Sequence, residues 1–384
     1  MKPNWQIITG DALAVLQGMD SESVDCLMTS PPYWALRDYG VDGQLGLEEH
    51  PQLYLDKLWA IFDEAKRVLK PTGTCWVNMG DTFGGSHCGA NDYRGDGASI
   101  SASSDKYQGQ GAAAANDGSE WLKPKNLLMM PERFAIGMVE NGWWLRNKIV
   151  WSKPNPMPSS VKDRFSCTWE YIFMFSKAAR YYFDLDAVRE ATGHETDAES
   201  YQPQGEWRED LDRAGKGHTK AGPSLTHPLG KNPGDCWSIP THPFPDAHFA
   251  VYPPDLIVKP IRAGCPPKVC VECGKPWERI VERNELSARD DTGRTHSLPE
   301  QRMGKSPPPE RGWQVERKTL GWQPTCECGA DTEPGTVLDP FAGAHTTGLV
   351  AIQEGRRYIG VDISEEYNEM GRRRLSQAQA PLLT

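Results

Sequence analysis

Hydrophobic and polar positions follow a strand-then-helix rhythm at both ends of the chain, and the middle of the chain interrupts it. Apolar residues recur every three or four positions over 55–69, which predicts an amphipathic helix that ends before Pro71. Buried strands are predicted at residues 24–28, 74–78, 145–151, 169–175, 181–183, 337–338 and 358–361, with further helices near 13–16, 127–140 and 346–354 and a last helix from Glu365. Residues 83–118 and 190–245 are rich in Gly, Pro and polar residues without a hydrophobic period, so irregular or flexible segments are expected there.

This rhythm predicts an α/β fold with a mostly parallel, doubly wound sheet. Both ends of the chain contribute pieces of the sheet. One domain interrupted by insertions therefore fits the 384 residues better than two independent domains.

Composition indicates a globular protein with a real hydrophobic core. Hydrophobic residues make up 38% and charged residues 24% of the sequence, and no segment has the length of a membrane span or the layout of a signal peptide. A cytoplasmic location is therefore expected. The net charge of −10 neither supports nor excludes a nucleic-acid partner, because binding depends on local patches such as the basic stretch from Arg146 to Arg164.

The most specific motif is Thr-Ser-Pro-Pro-Tyr-Trp at residues 29–34, directly after a predicted buried strand. Two prolines end the strand, and the carboxyl edge of an open α/β sheet, where such a loop lies, is the edge that binds ligands. The hydroxyl of Ser30 and the rigid carbonyl of Pro31 can accept hydrogen bonds from an exocyclic amine and so favour its nucleophilic form. Tyr33 offers a flat surface for a stacked base. The alternative is a rigid Pro-Pro turn with packed aromatic residues.

A second motif, Asp-Pro-Phe-Ala-Gly at residues 339–343, follows a short apolar strand and precedes a helix near Thr346. Small residues in such a turn let a ligand approach the backbone N–H groups at the start of the helix. Asp362 ends the next strand, about 20 residues beyond the turn, where nucleotide-binding α/β domains hold ribose hydroxyls. Each feature also has a simpler interpretation, because Gly343 allows a tight turn and Asp362 can cap the helix that follows.

Together these motifs resemble those of amino-methyltransferases that act on DNA. Residues 29–34 resemble the family's catalytic motif, and residues 339–347 resemble its S-adenosylmethionine loop. The catalytic motif comes first in the chain, an order similar to that of the circularly permuted beta class. Residues 142–173 resemble the family's central strands and residues 248–253 its amino-terminal cofactor segment. The resemblance implies a Rossmann-like class I methyltransferase fold.

The resemblance also implies a role for each motif residue. S-adenosylmethionine would be held by Asp11, Ala12, His248, Phe249, Ala250, Asp339, Phe341, Gly343, Thr346 and Asp362. The catalytic residues would be Ser30, Pro31, Pro32 and Tyr33, acting on a base flipped out of double-stranded DNA. The methyl group would pass directly to the amine without a covalent enzyme intermediate, so catalysis would depend on positioning the two partners.

Ser30 favours cytosine N4 as the methylated atom, because Ser-Pro-Pro-Tyr resembles the cytosine-N4 enzymes and Asp-Pro-Pro-Tyr is typical of adenine-N6 enzymes. Adenine N6 stays open, since a hydroxyl and a carboxylate both accept a hydrogen bond, and so do RNA or a protein amide as substrates. His345 departs from the glycine common at its position in the family, so a positive φ there would be strained and would weaken cofactor binding. A partner restriction nuclease and the oligomeric state are left open.

Two cysteine pairs, Cys270 with Cys273 and Cys326 with Cys328, are of the kind that clasp tetrahedral zinc. A structural zinc ion is expected, with four unrelated thiols as the alternative. A zinc-containing DNA-binding protein on the same fold, without catalytic activity, is the competing function. These motifs divide the chain into a catalytic half at 1–189 with its insert at 83–118, an irregular target-recognition region at 190–245, a cofactor segment at 246–264, a zinc-binding insert at 265–333 and a cofactor-loop half at 334–384.

Overall fold

The computed structural model describes residues 4–36, 38–84, 121–159, 161–190, 231–242, 251–281, 287–289, 295–297 and 319–378. The strands in these ranges are β1 (Trp5–Thr9), β2 (Val24–Thr29), β3 (Leu69–Met79), β4 (Trp144–Ser152), β5 (Trp169–Ser176), β6 (Cys236–Ser238), β7 (Val269–Cys270), β8 (Glu278–Val281), β9 (Ser287–Arg289), β10 (Thr295–Ser297), β11 (Thr319–Gln323), β12 (Thr332–Glu333), β13 (Thr336–Asp339) and β14 (Arg357–Asp362). The α-helices are α1 (Ala12–Gln17), α2 (Pro51–Val68), α3 (Met130–Glu140), α4 (Pro254–Gly264), α5 (Thr346–Gln353) and α6 (Glu365–Gln377).

Eight strands form one sheet in the order β1-β14-β13-β2-β3-β5-β4-β6. Neighbouring strands are parallel except at β5, which is antiparallel to both β3 and β4. The late strands β13 and β14 lie between the early strands β1 and β2. The mostly parallel, doubly wound sheet predicted from the sequence is confirmed. The carboxyl ends of β2, β3, β4, β13 and β14 all lie at one edge, and we call this the active edge.

Helices cover both faces of the sheet and give it two hydrophobic cores. Buried side chains of α1, α2 and α3 pack on one face, and those of α4, α5 and α6 pack on the other. Successive strand residues point to opposite faces, so Leu27 joins the first core whereas Met28 joins the second. Tyr54, Leu58 and Phe62 of α2 are fully buried. Burial of each such side chain stabilises the fold by about 1.5–3 kcal/mol, so this face of α2 anchors the helix on the sheet.

Three predicted segments differ from the structure. Strand β3 begins at Leu69 rather than at residue 74, because a shift in its pairing with β2 accommodates Pro71 and Gly73. The strand predicted at residues 181–183 is wrong, since no strand forms there in the described chain and the Tyr182 N–H donates to the Thr72 carbonyl. The region 190–245, predicted to be irregular, contributes β6 to the main sheet, where it pairs with β4.

The chain divides into two compact units. The first comprises Met1–Asp184, Gly234–Trp277 and Thr325–Thr384 and contains the eight-stranded sheet. The second comprises Leu185–Pro233 and Glu278–Pro324 and contains the antiparallel pairs β8–β11 and β9–β10. The zinc-binding insert predicted at residues 265–333 is therefore shared between the units. Within the described residues, no helix is long and apolar enough to cross a membrane.

Candidate active site

The loop at residues 29–34, which we call the catalytic loop, leaves the carboxyl end of β2 between the ends of β13 and β3. The Thr29 hydroxyl donates to Asp339 Oδ1 at 2.6 Å and thereby joins the two sequence motifs. The Tyr54 hydroxyl donates to the Pro32 carbonyl at 2.8 Å. In the described part of the chain no hydrogen bond reaches the Pro31 carbonyl, so this acceptor is available to a ligand, whereas the carbonyl of Pro32 holds the loop in place.

A network of polar side chains supports the catalytic loop. The Tyr33 hydroxyl donates to Glu170 Oε2 at 2.8 Å, and the Asn78 side-chain amide donates to the same oxygen at 3.2 Å. The other oxygen of Glu170 pairs with Lys153. Ser30 Oγ lies 3.4 Å from Asn78 Oδ1, which is long for a hydrogen bond between oxygens, and the Ser30 side chain also hydrogen-bonds with the Tyr33 phenol. Burial and the Glu170 carboxylate raise the pKa of Tyr33 well above its usual value, so the phenol stays protonated.

The sequence did not predict Asn78, Glu170 and Lys153 as site residues. They come from the end of β3, the beginning of β5 and the residue after β4. These positions meet because β5 runs antiparallel to its neighbours, so its beginning lies at the active edge. The available signal was the charge of Glu170 in the otherwise apolar strand β5 and of Lys153 just after β4, but the direction of β5 could not be read from it.

Asp339 links the cofactor motif to the catalytic loop. Its carboxylate is fully buried, and Oδ1 accepts from the Thr29 hydroxyl and from the Phe341 N–H at 3.1 Å. Oδ2 accepts from the hydroxyls of Thr347 at 2.6 Å and Tyr252 at 3.2 Å. Burial raises the pKa of Asp339 to about 6, even though these hydrogen bonds favour the charged form. Because both of its oxygens accept from protein groups, Asp339 holds the turn and the catalytic loop together.

The turn of this motif is open on the side of the backbone where a ligand would approach. Gly343 has φ +49°, and a Cβ at this position would have no neighbouring atom within 4 Å. Its N–H donates to Asp362 Oδ2 at 2.8 Å, and Asp362 Oδ1 accepts from the Ser364 N–H at 2.9 Å. Asp11 lies after the neighbouring strand β1 and caps α1 by accepting from the Ala14 N–H at 2.9 Å. Gly343 does permit a tight turn, but Ser364, not Asp362, is the N-cap of α6.

The other predicted cofactor residues fall into two groups. Ala12 is buried at the start of α1, Phe341 is half-buried in the turn, and Thr346 is buried at the start of α5. The Thr346 hydroxyl accepts from Arg374 at 3.2 Å, which fixes the first turn of α5. The segment His248, Phe249 and Ala250 lies outside the described residues.

His345 has a positive φ, the conformation that would be strained for a side chain at this position, with φ +56° and ψ +37°. Its ring is fully buried, with Nδ1 3.1 Å from the Tyr358 hydroxyl and Nε2 2.9 Å from Asn368 Oδ1. A Cβ at Gly360 would come within 2.6 Å of the ring, and one at Gly371 within 2.2 Å, so these two glycines make room for it. Burial lowers the pKa of His345 to about 4 and keeps the ring neutral. Packing and hydrogen bonds thus offset the backbone strain.

The four cysteines of the predicted metal site converge. The sulfur atoms of Cys270, Cys273, Cys326 and Cys328 all lie within 4.8 Å of one another. A tetrahedral zinc ion with Zn–S bonds of about 2.3 Å would place its sulfur ligands about 3.8 Å apart, so the cluster fits such an ion. Cys270 ends β7, which pairs with β12 shortly before the start of β13. The cluster therefore lies near the end of β13 opposite to Asp339.

Comparison with known proteins adds the family to this geometry. A family model described as DNA methylase, of the N6/N4 methyltransferase type, matches residues 24–271 and 331–373, which include both motif loops. The chain belongs to this DNA methylase family. It is therefore an amino-methyltransferase by descent, as the two motifs predicted.

Relatives and a solved structure agree with this assignment. Type II methyltransferase M.Cfr9I of Citrobacter freundii is 34% identical over 96% of this chain and 87% of its own length. Type II methyltransferase M.XycI of Xanthomonas campestris pv. cyanopsidis is 33% identical with the same coverage. The structure of the cytosine-N4-specific PvuII DNA methyltransferase matches 97% of this chain and 88% of its own with a TM-score of 0.51. Its identity is 18%, so it bears on the fold, and the class I methyltransferase fold predicted from the sequence is confirmed.

Proposed function

We propose that this protein transfers a methyl group from S-adenosylmethionine to the exocyclic N4 of a cytosine flipped out of double-stranded DNA. The hydrogen bond from Thr29 to Asp339 is the observation that carries the proposal. It holds the loop for the target amine directly against the loop for the methyl donor. Direct transfer requires this closeness, because no protein group relays the methyl.

The cofactor loop has the features that the methyl donor needs. Gly343 leaves open space beside the backbone, and the half-buried Asp362 keeps acceptor capacity beyond its two backbone hydrogen bonds. Asp362 would hold the ribose, Asp11 the adenine and Phe341 the adenine face. When bound, S-adenosylmethionine supplies the methyl group. His248, Phe249 and Ala250 stay part of the proposed cofactor segment.

Ser30 and the Pro31 carbonyl would accept the two hydrogens of the target amine. Acceptors in these positions localise the nitrogen lone pair, which is otherwise spread into the ring, and so they stabilise the transition state more than the ground state. The Ser30 hydroxyl can turn to the amine because its contact with Asn78 is 3.4 Å long. The protonated Tyr33, held by Glu170, would stack against the base.

Cytosine N4 is favoured over adenine N6 because position 30 is a serine rather than an aspartate. The relatives are type II methyltransferases, which supports a place in a restriction–modification system beside a cognate nuclease. Adenine N6 methylation of DNA is the alternative within this mechanism.

Mass spectrometry of nucleosides tests the proposal. Genomic DNA is incubated with purified protein and S-adenosylmethionine carrying a labelled methyl group, then digested to nucleosides. Labelled N4-methylcytosine is the expected product. Labelled N6-methyladenine would retain the mechanism and overturn the base, and no labelled nucleoside would reject DNA methylation.

The cysteine cluster supports a structural zinc ion at Cys270, Cys273, Cys326 and Cys328. Mass-spectrometric metal analysis of the purified protein should give about one zinc per chain. A C273S/C328S double variant should lose the zinc, whereas C236S, which changes an exposed cysteine outside the cluster, should retain it. Full zinc content in the double variant would reject the site.

A zinc-containing DNA-binding protein without catalytic activity is the second candidate function. His345 was the one feature that favoured it, and its well-packed ring removes the expectation of a disrupted cofactor loop. A titration of S-adenosylmethionine against the purified protein separates the two functions. Measurable binding supports the enzyme, and absence of binding supports the inactive protein.

A further inference from the structure

The connection between β4 and β5, residues 153–168, begins and ends at the active edge. We call it the β4–β5 loop. The Lys153 N–H donates to the Thr168 carbonyl at 2.8 Å, which closes the base of the loop. The Lys153 side chain pairs with Glu170, and Glu170 holds the Tyr33 hydroxyl. The base of the loop is therefore connected to the catalytic loop through two side-chain contacts.

Phe165 is the most exposed large hydrophobic side chain in the described part of the chain, at 98%. The ring buries almost none of its apolar area within this chain, so a partner that covered it would gain that area. The backbone at this point is held, because Arg164 donates to the Phe165 carbonyl at 3.0 Å and to Cys167 Sγ at 3.6 Å. The Arg164 guanidinium also stacks 3.8 Å from the centre of the Phe83 ring. The loop thus presents an uncovered ring on an anchored backbone.

The charges around Phe165 identify the kind of partner that would cover it. Lys162 and Arg164 are both exposed and lie within three residues of the ring. The nearby carboxylate of Asp163 is paired with Lys125 at 2.8 Å, so little negative charge is left to oppose them. A ring flanked by cations fits a nucleic acid, because the cations can contact its phosphates while the ring stacks between its bases.

We propose that Phe165 inserts into the DNA duplex and fills the gap that the target base leaves when it rotates into the active site. This inference rests on the proposed function. Insertion would stabilise the extruded state and would leave the chemistry at Ser30 unchanged. Lys162 and Arg164 would contact the flanking phosphates and hold the ring at the target position.

The test compares two duplexes that contain the methylation site mapped in modified genomic DNA. One is fully paired, and in the other the target base faces an abasic position, where extrusion costs little. We expect F165A to lower kcat/KM at least about 10-fold on the paired duplex and less than about 3-fold on the abasic one, because only the first needs help with extrusion. F165W should retain most of the activity on both. I136A, which removes a side chain 59% exposed on α3, is the matched control and should leave both rates unchanged.

Three outcomes would overturn the inference. Unchanged activity of F165A on the paired duplex would show that the ring has no role there. An equal loss on both duplexes would assign Phe165 to the catalytic step or to loop folding. Wild-type protein that methylates no duplex would reject the proposed function as well, whereas an active wild type with an unaffected F165A rejects the insertion alone.

Discussion

The catalytic loop and the cofactor loop lie side by side at one edge of the sheet, yet they are stabilised in opposite ways. The cofactor loop is held by buried groups whose polar atoms already have protein partners, as Asp339 and His345 show. The catalytic loop is supported by a part-buried network, and its key hydroxyl, on Ser30, makes a long contact of 3.4 Å with Asn78. The polar groups of the cofactor loop already hydrogen-bond within the protein, whereas the catalytic loop keeps acceptors available for a ligand.

This difference corresponds to the work that each loop would do. A bound cofactor can be recognised by the shape of the backbone, which requires that the loop itself be fixed before the ligand arrives. An amine that changes its bonding during the reaction needs acceptors that are not committed elsewhere. Substitutions in the two loops should therefore have different effects. Those in the catalytic loop should lower activity, and those in the cofactor loop should lower the stability of the protein.

The largest expected effect is that of Ser30→Ala on activity. Loss of an acceptor for the target amine should lower kcat about 100- to 1000-fold, while cofactor affinity and stability stay unchanged. Steady-state methylation kinetics and a cofactor titration measure the two quantities. The control is Ser21→Ala, which removes a hydroxyl that contacts Arg67 away from the site. A Ser30→Ala variant with near-normal kcat would remove Ser30 from the mechanism.

His345→Gly should show the opposite behaviour and cost about 3 kcal/mol of unfolding free energy. The variant loses a buried ring and two hydrogen bonds and leaves a cavity, and relief of the left-handed backbone returns only about 1 kcal/mol. Urea unfolding measures the difference. Glu22→Gly is the matched control, because Glu22 also has positive φ, at 57°, but an exposed side chain. If both variants changed stability equally, the packing of the ring would be unimportant.

Glu170→Gln should lower kcat about 10-fold, with a smaller change in the KM for DNA. An amide cannot accept from Tyr33 and Asn78 and also balance the charge of Lys153, so the Tyr33 ring loses its fixed position. The K153M/E170Q double variant should recover stability relative to Glu170→Gln, since it removes the unpaired charge, but should not recover kcat. Glu132→Gln is the control, because it breaks a similar ion pair with Lys148 outside the site. An equal fall in kcat for Glu132→Gln would point to a general charge effect.

The smallest effect concerns the pH dependence of stability in the cofactor loop. The pKa of His345 is about 4 in the fold and 6.5 in an ordinary setting, so the unfolded chain binds the proton first and stability falls as pH decreases from 6.5 towards 4. The pKa of Asp339 is about 6 instead of 3.8, so the folded chain binds the proton first and stability rises as pH decreases from 6. Between pH 6 and pH 5 the two effects are each about 1 kcal/mol and largely cancel.

Asp339→Asn should expose the effect of His345. Between pH 6 and pH 5 the variant should lose about 1 kcal/mol more unfolding free energy than the wild type. Urea unfolding at both pH values provides the comparison. Parallel pH profiles for the two proteins would contradict the opposing titrations.

The fold and both motif loops could be predicted because their signals are local. A few neighbouring residues determine the local conformation of the buried strands, of the Pro-Pro step after β2 and of the small-residue turn at Gly343. The convergence of the four cysteines followed from their spacing. The aromatic run at residues 181–183 misled the prediction, since the Tyr182 N–H bonds to the Thr72 carbonyl of β3 but no strand forms there in the described chain.

The supporting network could not be predicted because it depends on the direction of a strand. Glu170 reaches Tyr33 only because β5 is antiparallel, and nothing in the apolar sequence of β5 specifies that direction. The accommodation of His345 likewise depends on Gly360 and Gly371, which are distant in sequence and make room only after the sheet has formed. Local sequence patterns thus predicted where the two loops lie, but the side chains that support them come from distant parts of the chain and could not be predicted.

The buried ring of His345 has a consequence for the kinetics of cofactor exchange. Ordering a flexible glycine turn around a ligand would cost roughly 1–2 kcal/mol for each residue fixed, and that cost would reduce affinity. Here the ring and Asp362 order the turn during folding, so we expect the loop to have the same shape before and after the ligand binds. With S-adenosylmethionine bound as proposed, spent cofactor would leave and a fresh molecule would enter in each cycle without a conformational search by the turn.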